Sequence, residues 1–192
     1  MDYATARRAM VDSQLRPQAV TDPRVIAAMA SVPREQFVPA ALQPIAYNDR
    51  ILDLGDGRTL SPPATLGRML TELEPRAGEQ ALVIGTAPAY AAAVLAQMGL
   101  NTNLRADGDL AEGLVGGGPY DLIILDGAVE LVPGTIIAQL REGGRLGTCL
   151  IENGVQRLVV GRRSSGGFGT RSIADAAAGP LPGFERPRAF VF

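Results

Sequence analysis

Histidine is absent from the 192 residues of this chain. That removes the commonest general base and the commonest transition-metal ligand. Ser–His and Cys–His nucleophile systems are excluded with it, as are zinc sites that use imidazole, and no metal site is expected. Tryptophan is also absent and aromatics are only 5% of residues, so Ala, Leu, Val and Ile must fill most of the core. The single cysteine, Cys149, has no partner for an internal disulfide, and a reducing cytoplasm is the expected compartment. It lies in the apolar run Leu146–Ile151, which reads as a packed small side chain rather than a nucleophile. No apolar run approaches the length that crosses a bilayer, and the opening MDYATARRAM lacks the apolar stretch of a secretory signal. A formal net charge of −2 gives no footprint for nucleic acid or an anionic membrane. Any chemistry must rest on carboxylates, hydroxyls, backbone groups or a bound cofactor.

What is present reads as one soluble domain over residues 1–192, 46% apolar and 20% charged. The first stretch, to about Pro44, has helical texture. Asp22-Pro23 is a helix start, with Val25, Ile26, Met29 and Ala30 on one face and Pro33 closing the element. Pro44 to Pro63 reads as a loop containing Gly55-Asp56-Gly57. Beyond Pro62-Pro63, Leu66, Met69, Leu70 and Leu73 keep the spacing of an amphipathic helix. From Glu79 the texture changes. Ala81–Ile84 reads as a strand ending at Gly85, Ala89–Met98 as an Ala-rich helix and Leu122–Leu125 as a buried strand after a glycine turn. Gly134–Leu140 is a helix stopped by Gly143-Gly144, and Arg145–Ile151 is a strand. Glu152-Asn153-Gly154 turns into Val155–Gly161, Ser164–Gly169 is a loop, and Ala189–Phe192 is strand-like. Strands alternating with helices, then a late hairpin, predict an α/β fold: a mostly parallel sheet with an antiparallel edge.

Several segments, in order, resemble the protein-L-isoaspartate O-methyltransferase family. MVDSQL (Met10–Leu15) and TDPRVIAAMASVPREQFVP (Thr21–Pro39) are similar to its N-terminal helical region. AYNDR (Ala46–Arg50) and GDGRTLSPPATLGRMLTEL (Gly55–Leu73) are similar to its substrate loop and the helix that follows. PRAGEQALVIG (Pro75–Gly85) resembles the entry to its cofactor region, and PYDLIILDGAVELVPGTIIAQLREGGRL (Pro119–Leu146) the later sheet. The resemblance implies a Rossmann-like methyltransferase fold, with residues 1–74 as the helical and substrate-loop part and 75–192 as the sheet part. It also implies S-adenosylmethionine as methyl donor and the carboxylate of an isoaspartyl-containing protein or peptide as acceptor. That chemistry suits a chain without His, because a carboxylate with a reference pKa of about 4 is already ionised at neutral pH. Catalysis then reduces to holding two reactants close and in line.

By position, the family's Thr-x-Ser substrate loop falls on Thr59 and Ser61. Ser61 reads equally as a cap for the helix after Pro62-Pro63. Arg58 stands where the family usually has Gln, and reads either as a partner for the acceptor carboxylate or as a solvated loop charge. The cofactor loop departs from the family's acidic residue followed by Gly-x-Gly-x-Gly-Tyr. Here Val83 replaces the acid, and Gly85-Thr86-Ala87-Pro88-Ala89-Tyr90 keeps only Gly85 and Tyr90. Cofactor contacts are therefore expected from Gly85, Thr86, Ala87 and Tyr90. The two alanines are expected to strain any left-handed backbone by roughly 1–2 kcal/mol.

A second departure is a shortening. Asn101–Asp109, NTNLRADGD, resembles the stretch after the family's third strand more than its second, so about one strand–helix unit of ~30 residues is missing. The ribose-binding acid of that unit goes with it, and Asp107 or Asp109 is the substitute. Asp126, at the end of the strand Leu122–Leu125, reads as a carboxylate lining the ligand crevice or as a turn residue capping Gly127-Ala128. Glu130 reads as exposed. Two functions follow: an active carboxyl methyltransferase, or an inactive pseudo-methyltransferase kept as a binding or scaffold module. A missing edge unit leaves surface uncovered, which implies a protein partner or a homo-oligomer.

Overall fold

The structure, a computed structural model, describes residues 2–187, so the strand expected at Ala189–Phe192 lies outside the described residues. Capping sets the N-terminal helices. The Asp2 carboxylate accepts the backbone N–H of Ala4 and Thr5 at the start of α1 (Tyr3–Met10), which continues as a wider π-helical turn, Val11–Leu15. Asp22 accepts the N–H of Arg24 at the start of α2 (Pro23–Ser31), with Pro23 at the first helical position. Val25, Ala28 and Met29 are buried and Ile26 half-buried, but Ala30, expected on the same face, is exposed. At 3.6 residues per turn Ala30 sits about 140° around the helix from Val25. On α3 (Pro63–Leu73) the expected stripe of Leu66, Met69, Leu70 and Leu73 is fully covered.

The stretch between Pro44 and Pro63, read as a loop, contains a small hairpin. Strands β1 (Leu52–Gly55) and β2 (Arg58–Leu60) pair antiparallel, and Asp56 and Gly57 turn between them with φ of 54° and 73°. Two consecutive left-handed residues are what the tight turn of a right-twisted hairpin requires.

The main sheet has six strands in the order β4-β3-β5-β6-β7-β8. These are β3 (Gln80–Gly85), β4 (Asn101–Arg105), β5 (Tyr120–Val129), β6 (Leu140–Glu152), β7 (Val155–Ser164) and β8 (Gly167–Asp175). The first four in that order pair parallel, and the β6–β7 and β7–β8 pairs are antiparallel, as the strand–helix alternation and late hairpin predict. Helix α4 (Ala89–Gln97) crosses from β3 to β4, and α5 (Gly134–Gln139) leads into β6. The β6–β7 turn uses Asn153 and Gly154 at positive φ. The expected loop Ser164–Gly169 is a correction: β7 runs to Ser164 and β8 resumes at Gly167, so only Ser165 and Gly166 turn. Glycines and polar residues around a single Phe, GFGTRS, hide this edge strand from hydrophobic patterning.

The central strands are buried on both faces, which explains their unbroken apolar runs. Ala81, Val83, Leu122 and Ile124 face α2, α3, α4 and the N-terminal helix. Leu82, Ile84, Ile123 and Leu125 face Ile136 of α5 together with Leu181 and Phe184 of the C-terminal segment. Cys149 is fully buried, and burial pushes its thiol up to about 12, in line with a packing role.

The connections on either side of β4 are short. Only Met98, Gly99 and Leu100 separate α4 from β4, which pairs directly with β3 and forms the sheet's edge among the described residues. Between β4 and β5 the chain makes only two short 3-10 turns, Leu110–Glu112 and Val115–Gly117.

Candidate active site

The carboxyl ends of β3, β4 and β5 lie at one edge of the sheet, where an open α/β fold binds its ligands. A groove of about 830 Å³ opens there. Its floor is Thr86, Ala87, Pro88 and Ala89, between β3 and α4. One wall is Phe37 and Val38, another the hairpin residues Leu54, Gly57 and Arg58, and the far end is Leu104, Ala106 and Asp107. That volume falls within the ~300–1,000 Å³ range of cofactor and small-molecule sites.

The loop forming the floor departs from expectation. None of Gly85, Ala87 and Ala89 has a positive φ, so the two alanines carry no left-handed strain. Pro88 precedes α4 with φ −74° and ψ −7°, and its carbonyl accepts the N–H of Ala92. The ring's fixed φ suits a helix entry, and its missing N–H is one the first turn leaves unpaired in any case. Gly85 is required for another reason. A Cβ there would stand 3.0 Å from the carbonyl oxygen of Asp126, its partner in the β3–β5 register.

Ser61 and Asp126 meet under this edge. The Ser61 hydroxyl donates to Asp126 Oδ1 at 2.6 Å, and both residues are buried. The cap reading of Ser61 and both readings of Asp126 are corrected here. The first turn of α3 follows Pro62 without a side-chain cap, while Asp49 Oδ1 accepts the N–H of Ala64. Asp126 neither lines the groove nor caps a turn, because β5 continues to Val129 and carries its side chain inward. Thr59 joins the hairpin to the loop between β3 and α4, its N–H donating to Thr86 Oγ1 at 3.0 Å.

Arg34 is the residue that patterning missed. It is fully buried, its Nε donates to the Ala46 carbonyl and its Nη2 to the Ser61 carbonyl, each at 2.7 Å. Its guanidinium lies 4.8 Å from the centre of the Tyr90 ring. Tyr90 is a correction in turn. It does not reach the groove but is buried edge-on against Phe37 at 5.5 Å, beneath Arg34. Burial pushes the Tyr90 hydroxyl up and the Arg34 guanidinium down, while each pulls the other back. Burial also raises the Asp126 carboxyl above the ordinary range, opposed by the Ser61 hydrogen bond and by Arg34. The signal for Arg34 was a charged residue between two prolines in VPREQFVP, and it becomes informative only once burial is known.

The C-terminal segment closes over this pair. The Ala128 N–H donates to the Gly179 carbonyl and Leu181 N–H to the Ala128 carbonyl. Thr65 Oγ1 donates to the Ala177 carbonyl, and Gly179 packs so tightly on Thr59 that a Cβ would fall 2.1 Å from its hydroxyl. Asp107 is exposed on the groove wall just past β4, as required of an acid at that strand's end, whereas Asp109 caps the next turn by accepting the Ala111 N–H. Glu130, expected exposed, is half-buried and accepts the Arg186 N–H. Among the described residues no cluster suited to a metal ion occurs, and no helix is long and apolar enough to cross a membrane.

A mostly parallel sheet with this crevice, a hairpin edge and helices on both faces is the Rossmann-like methyltransferase fold. Two solved structures share it. One is a protein-L-isoaspartate O-methyltransferase with a TM-score of 0.79 and 20% identity, covering 93% of this chain and 67% of that one. The other is a putative protein-L-isoaspartate O-methyltransferase from Plasmodium falciparum in complex with S-adenosyl-L-homocysteine. It has a TM-score of 0.77 and 16% identity, over 92% and 98% of the two chains. In sequence, the protein-L-isoaspartate O-methyltransferase of Pelotomaculum thermopropionicum is 34% identical over 95% of this chain and 90% of its own length. Protein-L-isoaspartate O-methyltransferase 2 of Marinobacter nauticus is 36% identical over 96% of both. The family model for protein-L-isoaspartate(D-aspartate) O-methyltransferase matches residues 5–106 and 99–177, and the chain belongs to that family. The two matched stretches overlap at 99–106.

Proposed function

We propose that this chain transfers a methyl group from S-adenosylmethionine to the carboxylate of isoaspartyl residues in proteins or peptides. The observation that carries the reading is the groove at the carboxyl edge of β3 and β4, beside the Ser61–Asp126 pair, in a chain that matches the family over nearly its whole length. The groove fits the cofactor. Its volume suffices, its floor has no strained alanine, and Asp107 stands at the end of β4 with a free carboxylate for ribose hydroxyls. The backbone of Thr86–Ala89 and the uncapped start of α4 form the remaining polar lining.

When bound, the cofactor supplies an electrophilic methyl group on sulfur. The chain's own work is positional. The acceptor is an anion without help from any base, so the absence of His costs nothing. Arg34 holds the Ser61 backbone from beneath, Asp126 holds its hydroxyl, and Thr59 ties the hairpin to the cofactor loop. Fixing the acceptor end against the donor end in this way turns a bimolecular encounter into an oriented one. The buried surroundings of Ser61 keep water away from it.

The test is incorporation of labelled methyl into a base-labile ester on an isoaspartyl peptide, with the normal aspartyl peptide as control. Thermal stabilisation by S-adenosylhomocysteine is measured alongside. A ligand at 100 times its dissociation constant stabilises by about 2.7 kcal/mol, a shift of several degrees for a domain of this size. Stabilisation without ester formation would leave a binding module, and neither would leave only a scaffold.

A further inference from the structure

The Ser61 hydroxyl has one proton, and it is committed to Asp126. Facing an incoming carboxylate, Ser61 therefore offers lone pairs and no donor. Turning that proton outward would strip a buried, ionised Asp126 of the one side-chain hydrogen bond it accepts among the described residues, a large penalty away from water. A proton on Asp126 resolves the conflict. The acid then donates to Ser61 Oγ, and Ser61 is free to donate to the acceptor.

Building on the methyltransferase reading above, we propose that Asp126 is a positioning residue that must take up a proton before Ser61 can receive the isoaspartyl carboxylate. No other group packed around it can supply the change. Arg34, from the turn before Val38, stays cationic, and Tyr90 of α4 lies behind it. Cys149 of β6 keeps its proton up to about 12, and Tyr90 is raised as well. Gly85 of β3 and the covering segment Ala177–Leu181 carry no titratable side chain. Burial favours the protonated acid at Asp126, opposed by the Ser61 hydrogen bond and by Arg34.

The consequence is a pH dependence in acceptor binding. The KM for an end-blocked isoaspartyl hexapeptide with no other titratable group should rise about tenfold per pH unit above the titration of Asp126, although the peptide's own carboxylate stays ionised from about pH 5 to 9. Asp126→Asn, whose amide N–H donates to Ser61 as the acid would, should abolish that slope. Independently of turnover, calorimetry of hexapeptide binding to the wild-type protein with S-adenosylhomocysteine, in two buffers of different ionisation enthalpy, should show uptake of about one proton per peptide above that titration. A flat KM and no proton uptake, with methyl transfer intact, would overturn the inference and leave the function standing. The same slope in Asp126→Asn would also overturn it. A wild-type protein that neither binds nor methylates the peptide would overturn both. Should the variant fail to fold, the wild-type calorimetry decides alone.

Discussion

Replacing Arg34 with Met tests whether a single buried cation organises the acceptor end of the site. The methionine stem keeps most of the packing, so the perturbation is chiefly polar. It leaves the carbonyls of Ala46 and Ser61, each accepting at 2.7 Å, without their donor. A buried carbonyl left unpaired costs about 1–3 kcal/mol, which makes the pair about 2–6. The contact with the Tyr90 ring adds about 0.5–2 kcal/mol when desolvated. Against this stands relief of a charge the fold has taken wholly out of water, with Nη1 lacking a partner among the described residues. A net loss of about 3 kcal/mol follows, or roughly 6–12 °C in melting temperature for a domain of this size. Urea unfolding followed by circular dichroism gives the number directly. Arg34→Lys should fall between, since an ammonium cannot hold two carbonyls in the arginine's fork. A methionine variant within about 0.5 kcal/mol of wild type would refute the reasoning, because it would show that both carbonyls find other partners.

Three further outcomes follow. Asp126 stands above its ordinary value in the folded chain, so the folded state keeps a proton that the unfolded state releases. Its contribution to stability is therefore present at low pH and lost as pH rises from about 3.9 through the folded value. Asp126→Asn should flatten that part of the melting-temperature profile and melt higher than wild type above the window, and parallel profiles would contradict the assignment. Asp107→Asn should weaken S-adenosylhomocysteine about tenfold by calorimetry while leaving the melting temperature of the free protein unchanged, since Asp107 is exposed on the groove wall. Gly179→Ala places a methyl group 2.1 Å from the Thr59 hydroxyl and 2.6 Å from its Cβ, and should cost about 1–3 kcal/mol in denaturant unfolding. An alanine as stable as wild type would mean that the C-terminal segment yields there freely.

The central elements were legible because each is decided locally. Strands β3 and β5 are runs of Leu, Ile and Val that only a doubly covered strand can bury, and α3 repeats its apolar residues at the helical period. The Asp22-Pro23 start and the Asn153-Gly154 turn are signals of backbone chemistry, independent of what packs around them. The edge elements were not legible. Strands β2, β4 and β8 present exposed or half-covered faces, so no hydrophobic alternation marks them, and β1, which does alternate as Leu52-Asp53-Leu54-Gly55, is only four residues long.

The same division holds at the site. The sequence by itself determined the chemistry that was open to this protein: no imidazole, and a family pattern that ends a strand at Gly85. The tertiary structure decided what each polar residue does. Thr86, Ala87 and Asp107 reach the groove, whereas Tyr90 turns into the core and Ser61 spends its proton on Asp126. Burial and long-range pairing are the reason. A carboxylate's charge, a hydroxyl's donor and an arginine's partners are set by groups up to 65 positions away in the chain, and by whether water can reach them, and neither is written in the residues on either side.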